Sequence, residues 1–153
     1  MACEARRVPA DWQHPKQRVF NHYTHCMEDA YKPLYRGEEY QSDANTWDEG
    51  YAKWKAGRCP DCCTIEDCAL TYEQYEDKRP HHDDYMPNWP INERTHLMMY
   101  ENTTEGTPIS PAFATAEELA RWLTDNNATW FASSTCTYET WLRVCLDALP
   151  RDR

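Results

Sequence analysis

Apolar positions recur at helical spacing in three stretches of the chain. Ala44, Trp47, Tyr51 and Trp54 fall 3, 4 and 3 residues apart, which places them on one face of a helix over 43–56. Asp48, Glu49, Lys53 and Lys55 face the other way. Asp43 is a candidate N-cap for this helix and Gly57 a candidate C-cap, while Gly50 in its middle costs about 1 kcal/mol relative to alanine. Thr115 followed by Glu118 forms a capping box ahead of Leu119, Trp122 and Leu123. Thr137 opens a last helix whose inner face reads Tyr138, Trp141, Leu142, Cys145, Leu146 and Leu149, and Pro150 stops it. Thr64–Asp67 resembles a further helix start, after which Cys68, Tyr72 and Tyr75 share a face. Thr95–Tyr100 reads as a short strand with His96, Met98 and Tyr100 on one side. Prolines push 7–16 and 31–35 toward extended chain. The expected fold is α+β. A small, mostly antiparallel sheet from 8–35 and 95–113 packs against two or three helices around an aromatic-rich core, in one domain spanning 1–153. Residues 57–70 read as a cysteine-rich insertion or loop within it.

Composition changes this picture in one respect. Leu, Ile, Val and Phe together number only 17 of 153 residues, a level that with a net charge of −10 suggests disorder. Seven Trp and ten Tyr restore the capacity for a core, since each such ring buries about 150–250 Å². No apolar run approaches the roughly 18 residues of a membrane span, and the opening Met1–Arg7 stretch holds no apolar segment, so neither a span nor a secretory signal is expected. The charge is uneven. Residues 59–105 hold eleven acids against three bases. Such a segment argues against direct nucleic-acid binding. It reads either as a solvated surface or as an acidic face that docks on a basic protein, with Asp61, Glu66, Asp67, Glu73, Glu76, Asp77, Asp83 and Asp84 as its partner-binding residues.

Eight cysteines invite a metal reading. Cys59 and Cys62 have the spacing at which two thiolates on one tight turn reach a single tetrahedral zinc ion. Cys63 and Cys68 would complete the set locally, with His22, His25 and Cys26 as alternates. Zinc would add folding free energy to a chain poor in aliphatics. Free thiols in a reducing cell are the other reading, and the sequence leaves both open. His81-His82-Asp83-Asp84 offers acid–base types, but neighbours in extended chain point apart. No Gly-x-Ser-x-Gly and no glycine-rich phosphate loop is present, so no catalytic residue is assigned. His96 with Glu101 and Glu105 is the first place to look for an enzyme acting on a small molecule or nucleotide, against their reading as a polar hairpin edge.

Thr95–Pro111, with the run THLMMYENTTEGTPISP, is distinctive. It resembles a family of small, uncharacterised proteins encoded by bacteriophages and prophages. Val8–Pro15 is similar to that family's opening, Tyr85–Trp89 to its central motif, and Glu117–Leu123 and Thr137–Leu142 to its closing helices. The likeness covers about two-thirds of the chain and leaves out 57–70. It implies phage origin and expression in the cytoplasm of a bacterial host. With no catalytic signature, the expectation is a non-enzymatic accessory protein. It would bind and inhibit a host or defence protein, in the manner of an anti-CRISPR factor, through its acidic surface. Its target would be a bacterial protein, of which a nucleic-acid-binding one is the natural case. A small zinc-binding regulatory module is the alternative.

Overall fold

A computed structural model describes residues 3–57, 71–102 and 106–150. The chain divides into two compact units. The first comprises residues 1–34 and 89–153, and the second residues 35–88.

The first unit is built on a three-stranded antiparallel sheet in the order β1(Cys3–Val8), β4(His96–Glu101), β5(Thr107–Pro108). The register pairs Ala5 with Met99 and Arg6 with Met98. Opposed residues share a face, so Cys3, Ala5, Leu97 and Met99 point one way and Arg6, Val8, Met98 and Tyr100 the other. Helices α3(Ala116–Asp125) and α4(Tyr138–Asp147) cover the first face. There Cys3, Leu97, Met99, Leu119, Leu123, Trp141 and Cys145 form the buried cluster. The sheet thus carries buried residues on both faces, and Leu97 through Tyr100 are all buried.

Both helices start where their caps predict. Thr115 accepts the Glu118 N–H at 3.1 Å and Thr137 the Thr140 N–H at 3.3 Å. Asn127, at φ 51°, closes α3 in the left-handed conformation, and Ala128 N–H reaches back to Leu123 O at 2.9 Å, as in a Schellman end. The inner face of α4 is rotated from its expected position. Val144 is buried beside Trp141 and Cys145, whereas Leu146 is 45% and Leu149 38% exposed. The i, i+3, i+4 set that meets the sheet is centred on Trp141, so the C-terminal leucines turn past the edge of the contact. A short hairpin, β6(Thr129–Phe131) with β7(Ser134–Thr135), links the helices.

Beyond Val8, the stretch 8–35, expected to share one sheet with 95–113, instead forms a separate two-stranded sheet, the hairpin β2(Lys16–Asn21) and β3(Cys26–Tyr31). Nearly all of its residues are exposed, and exposure on both faces removes the alternation that reveals a strand. Arg18 pairs across it with Asp29 at 3.3 Å.

In the second unit, α1(Tyr40–Lys55) begins three residues before Asp43, after a 3-10 turn over Gly37–Glu39. Asp43 therefore lies in the first turn instead of capping it, and its carboxylate accepts the Tyr85 hydroxyl at 2.7 Å. Gly57, at φ 88°, ends the helix as expected. The short α2(Tyr72–Tyr75) carries a full capping box between Thr71 and Gln74. The unit is held by rings. Trp47 stacks on Tyr51 and meets Tyr72 edge-on, with centroids at 5.3 and 5.0 Å, and Trp54 packs on Tyr75 at 5.1 Å. Gly50 has a steric reason. A Cβ there would collide with the Tyr72 hydroxyl, so α1 accepts a glycine where Tyr72 crosses it.

Candidate interaction surface

Half of the chain's acids fall in the stretch 35–88, which holds 13 of the 26 against six bases. Glu73 lies on α2, Glu76 and Asp77 follow it, and Asp83 and Asp84 sit in a 3-10 turn over His82–Asp84. All five are exposed. Two cation–carboxylate pairs are formed nearby, Arg36 with Glu38 at 2.8 Å and Arg79 with Asp48 at 3.0 Å. The Arg79 guanidinium holds the Asp48 carboxyl below its ordinary range. Glu73, Glu76 and Asp77 make no ion pair among the described residues. Asp61, Glu66, Asp67 and the cysteines Cys59, Cys62, Cys63 and Cys68 lie outside the described residues.

Behind Glu76 and Asp77 the second unit has a cavity of about 480 Å³. Trp47 and Tyr72 line it, and the Trp47 indole N–H donates to the Asp77 carbonyl at 2.8 Å, which fixes the ring against this segment. Asp43, Glu49, Glu76 and Asp77 line it together with Lys53 and Lys78.

The alternate metal ligands do not converge. His22 and His25 lie in the exposed turn of the β2–β3 hairpin, where both rings pack on Phe20, with centroids at 5.0 and 6.4 Å. Cys26 sits opposite Asn21 in the ladder. Among the described residues no group of three or more His, Cys, Asp or Glu is arranged to hold a metal ion. His96 and Glu101 occupy the two ends of β4, about 17 Å apart at the rise of a strand, so they form no joint site. Glu105 lies outside the described residues. His96 instead hydrogen-bonds the Thr95 hydroxyl at 2.8 Å. His81 accepts the Asp83 backbone N–H at 3.2 Å, and His82 packs on Tyr40 at 3.9 Å, so the two histidines point to different neighbours.

The first unit contains a buried polar network that sequence reasoning did not single out. His14 is 7% exposed. Its Nε2 lies against the Lys32 carbonyl, which can only accept, so the proton sits there. Nδ1 is then the acceptor for the Tyr100 hydroxyl at 2.9 Å, which in turn accepts the Trp12 indole N–H at 3.1 Å. Burial pushes the His14 imidazole below its ordinary pKa and the Tyr100 phenol up to about 12. The Arg6 guanidinium lies 4.4 Å from the centre of the Tyr100 ring and donates to the Leu34 carbonyl at 2.7 Å. A cavity of about 570 Å³ adjoins His14, Trp12, Tyr31 and Ser110. Ser110 Oγ accepts the Met99 N–H at 2.8 Å and donates to the Pro111 carbonyl at 2.9 Å. Serine and histidine are thus each committed to internal bonds, an arrangement that ties chain segments together. Burial raises the Cys3 thiol to about 11 and the Cys145 thiol to about 12, which disfavours their thiolate forms. The network is not readable from sequence alone, because His14 meets partners 18 and 86 residues away.

Comparison with protein families, with curated proteins and with solved structures returns no match. Among the described residues no helix is long and apolar enough to cross a membrane.

Proposed function

We propose that this protein is a non-enzymatic accessory protein of bacteriophage origin. It acts in the cytoplasm of a bacterial host by binding and inhibiting a basic host or defence protein. One observation carries the reading. The exposed carboxylates Glu73, Glu76, Asp77, Asp83 and Asp84 gather in a unit with 13 acids against six bases. Complementary charge of this kind accelerates encounter and rejects acidic competitors. It also suits occupation of a groove that otherwise takes nucleic acid, whose own negative charge it imitates. The motif likeness over Thr95–Pro111 supports the phage assignment. The internal commitment of His14 and Ser110 supports binding over catalysis.

The test is capture on the immobilised protein from bacterial lysate at about 0.05 M and about 0.5 M salt, a range over which the screening length falls severalfold. The Glu73→Gln/Glu76→Gln/Asp77→Asn variant runs in parallel. The reading expects a basic protein held at low salt, released at high salt and lost in the variant. A partner retained equally by both proteins at high salt would overturn it.

A further inference from the structure

We propose that the cavity between α1 and α2 of the second unit is a receptor for one arginine side chain presented by a basic partner protein. This inference rests on the acidic-surface reading and sharpens it. The cavity, about 480 Å³, exceeds what a single side chain fills, so a guanidinium enters with room for its aliphatic stem. Its inner wall is aromatic. Trp47 is locked in place by its N–H bond to the Asp77 carbonyl and braced by Tyr72 edge-on at 5.0 Å. The indole face is the strongest of the side-chain π surfaces for a cation. Its mouth is carboxylate. Glu76 and Asp77 are exposed there, and paired oxygens match the forked donors of arginine better than the point charge of lysine. Lys53 and Lys78 stand among these acids, so the lining remains net negative.

A second observation shows that the same ring cluster takes a cation. Lys55 Nζ lies 4.6 Å from the centre of the Tyr51 ring, and Tyr51 stacks on Trp47. The chain's own ammonium group thus rests on one end of a stack whose other members line the cavity. Gly50 completes the arrangement, because a Cβ would drive out the Tyr72 hydroxyl and with it the ring that braces Trp47.

The experiment titrates the full-length protein by calorimetry at low salt with a peptide of six arginines and, separately, one of six lysines. Three variants follow. Glu76→Gln/Asp77→Asn removes two charges at the cavity mouth. Glu38→Gln/Glu39→Gln removes two charges from the 3-10 turn before α1. Thr46→Arg places the chain's own guanidinium at the lining, on an exposed helix position where arginine is a better helix former than threonine. The proposal expects the arginine peptide to bind about tenfold tighter than the lysine peptide, the mouth variant to lose about tenfold more affinity than the control pair, and Thr46→Arg to abolish the arginine preference. Equal losses from the two charge pairs, with no effect of Thr46→Arg, would overturn the cavity while leaving the acidic surface intact. No binding of either peptide by the unmodified protein would overturn both.

Discussion

Trp141 offers the sharpest test of the first unit's packing. The ring is fully buried in the cluster between α3, α4 and the sheet, yet its indole N–H is buried with no hydrogen-bond partner among the described residues. Two terms therefore oppose each other. Truncation to alanine removes a large core aromatic at a cost of about 3–5 kcal/mol, a drop of roughly 6–20 °C in melting temperature for a protein this size. Replacement by phenylalanine loses only part of the ring. That costs about 1–2 kcal/mol in burial and cavity, and it also removes an orphaned donor whose burial costs about 1–3 kcal/mol. Trp141→Phe should then lie within about 1 kcal/mol of the native protein, while Trp141→Ala is severely destabilised. Chemical denaturation followed by far-ultraviolet circular dichroism measures both. If phenylalanine costs as much as alanine, the indole N–H is satisfied and the argument from its burial fails. If alanine costs nothing, α4 does not face the core as described.

Two further perturbations read other parts of the fold. Gly50→Ala replaces a helix-interior glycine, a change worth about 1 kcal/mol in favour of the helix. Collision with Tyr72 should reverse the sign by about 1–3 kcal/mol, and Gly50→Ala combined with Tyr72→Phe should recover most of the loss in a double-mutant cycle. A stabilising Gly50→Ala would refute the contact. His14 sets a pH dependence. Burial depresses its folded-state pKa below the ordinary 6.5, so the unfolded chain takes up a proton near pH 6.5 before the folded one does. The stabilisation is complete above that pH and drains away as pH falls toward the depressed value. Denaturation midpoints between about pH 7.5 and about pH 5 should decline in the native protein and flatten in His14→Gln, and an unchanged slope in the variant would assign it to other groups.

The helices of this fold are legible where one face is buried and one is wet, and β4 is legible as a short apolar run although both its faces are buried. The caps at Thr115 and Thr137 and the Trp47 stripe of α1 could be read directly, because solvent on the far side leaves polar residues at helical spacing. β1 is hidden because its sequence, Cys3–Val8, places Arg6 at a buried position and Glu4 and Arg7 beside it, so neither an alternation nor an apolar run survives. Exposure on both faces hides β2 and β3. The helix α1 starts three residues before Asp43, whose carboxylate accepts from Tyr85, a partner 42 residues away. Local rules assign an acid at that position to the cap. The acidic surface was legible as charge, because charge needs no geometry. The cavity behind it was not, since Trp47, Tyr72 and Asp77 meet only after α2 folds back on α1. The role of His14 is illegible in the sequence for a related reason. Its partners, Lys32 and Tyr100, are 18 and 86 residues distant.

Whether the second unit holds the binding site can be read from the backbone amide spectrum of the labelled protein, followed as the six-arginine peptide is added at low and at high salt. A site in the second unit gives shifts confined to residues 35–88, strongest around Trp47, Glu76 and Asp77, and erased near 0.5 M salt, where the screening length is about 4 Å. Shifts centred on residues 3–34 or 89–150, or shifts that persist at high salt, would contradict it.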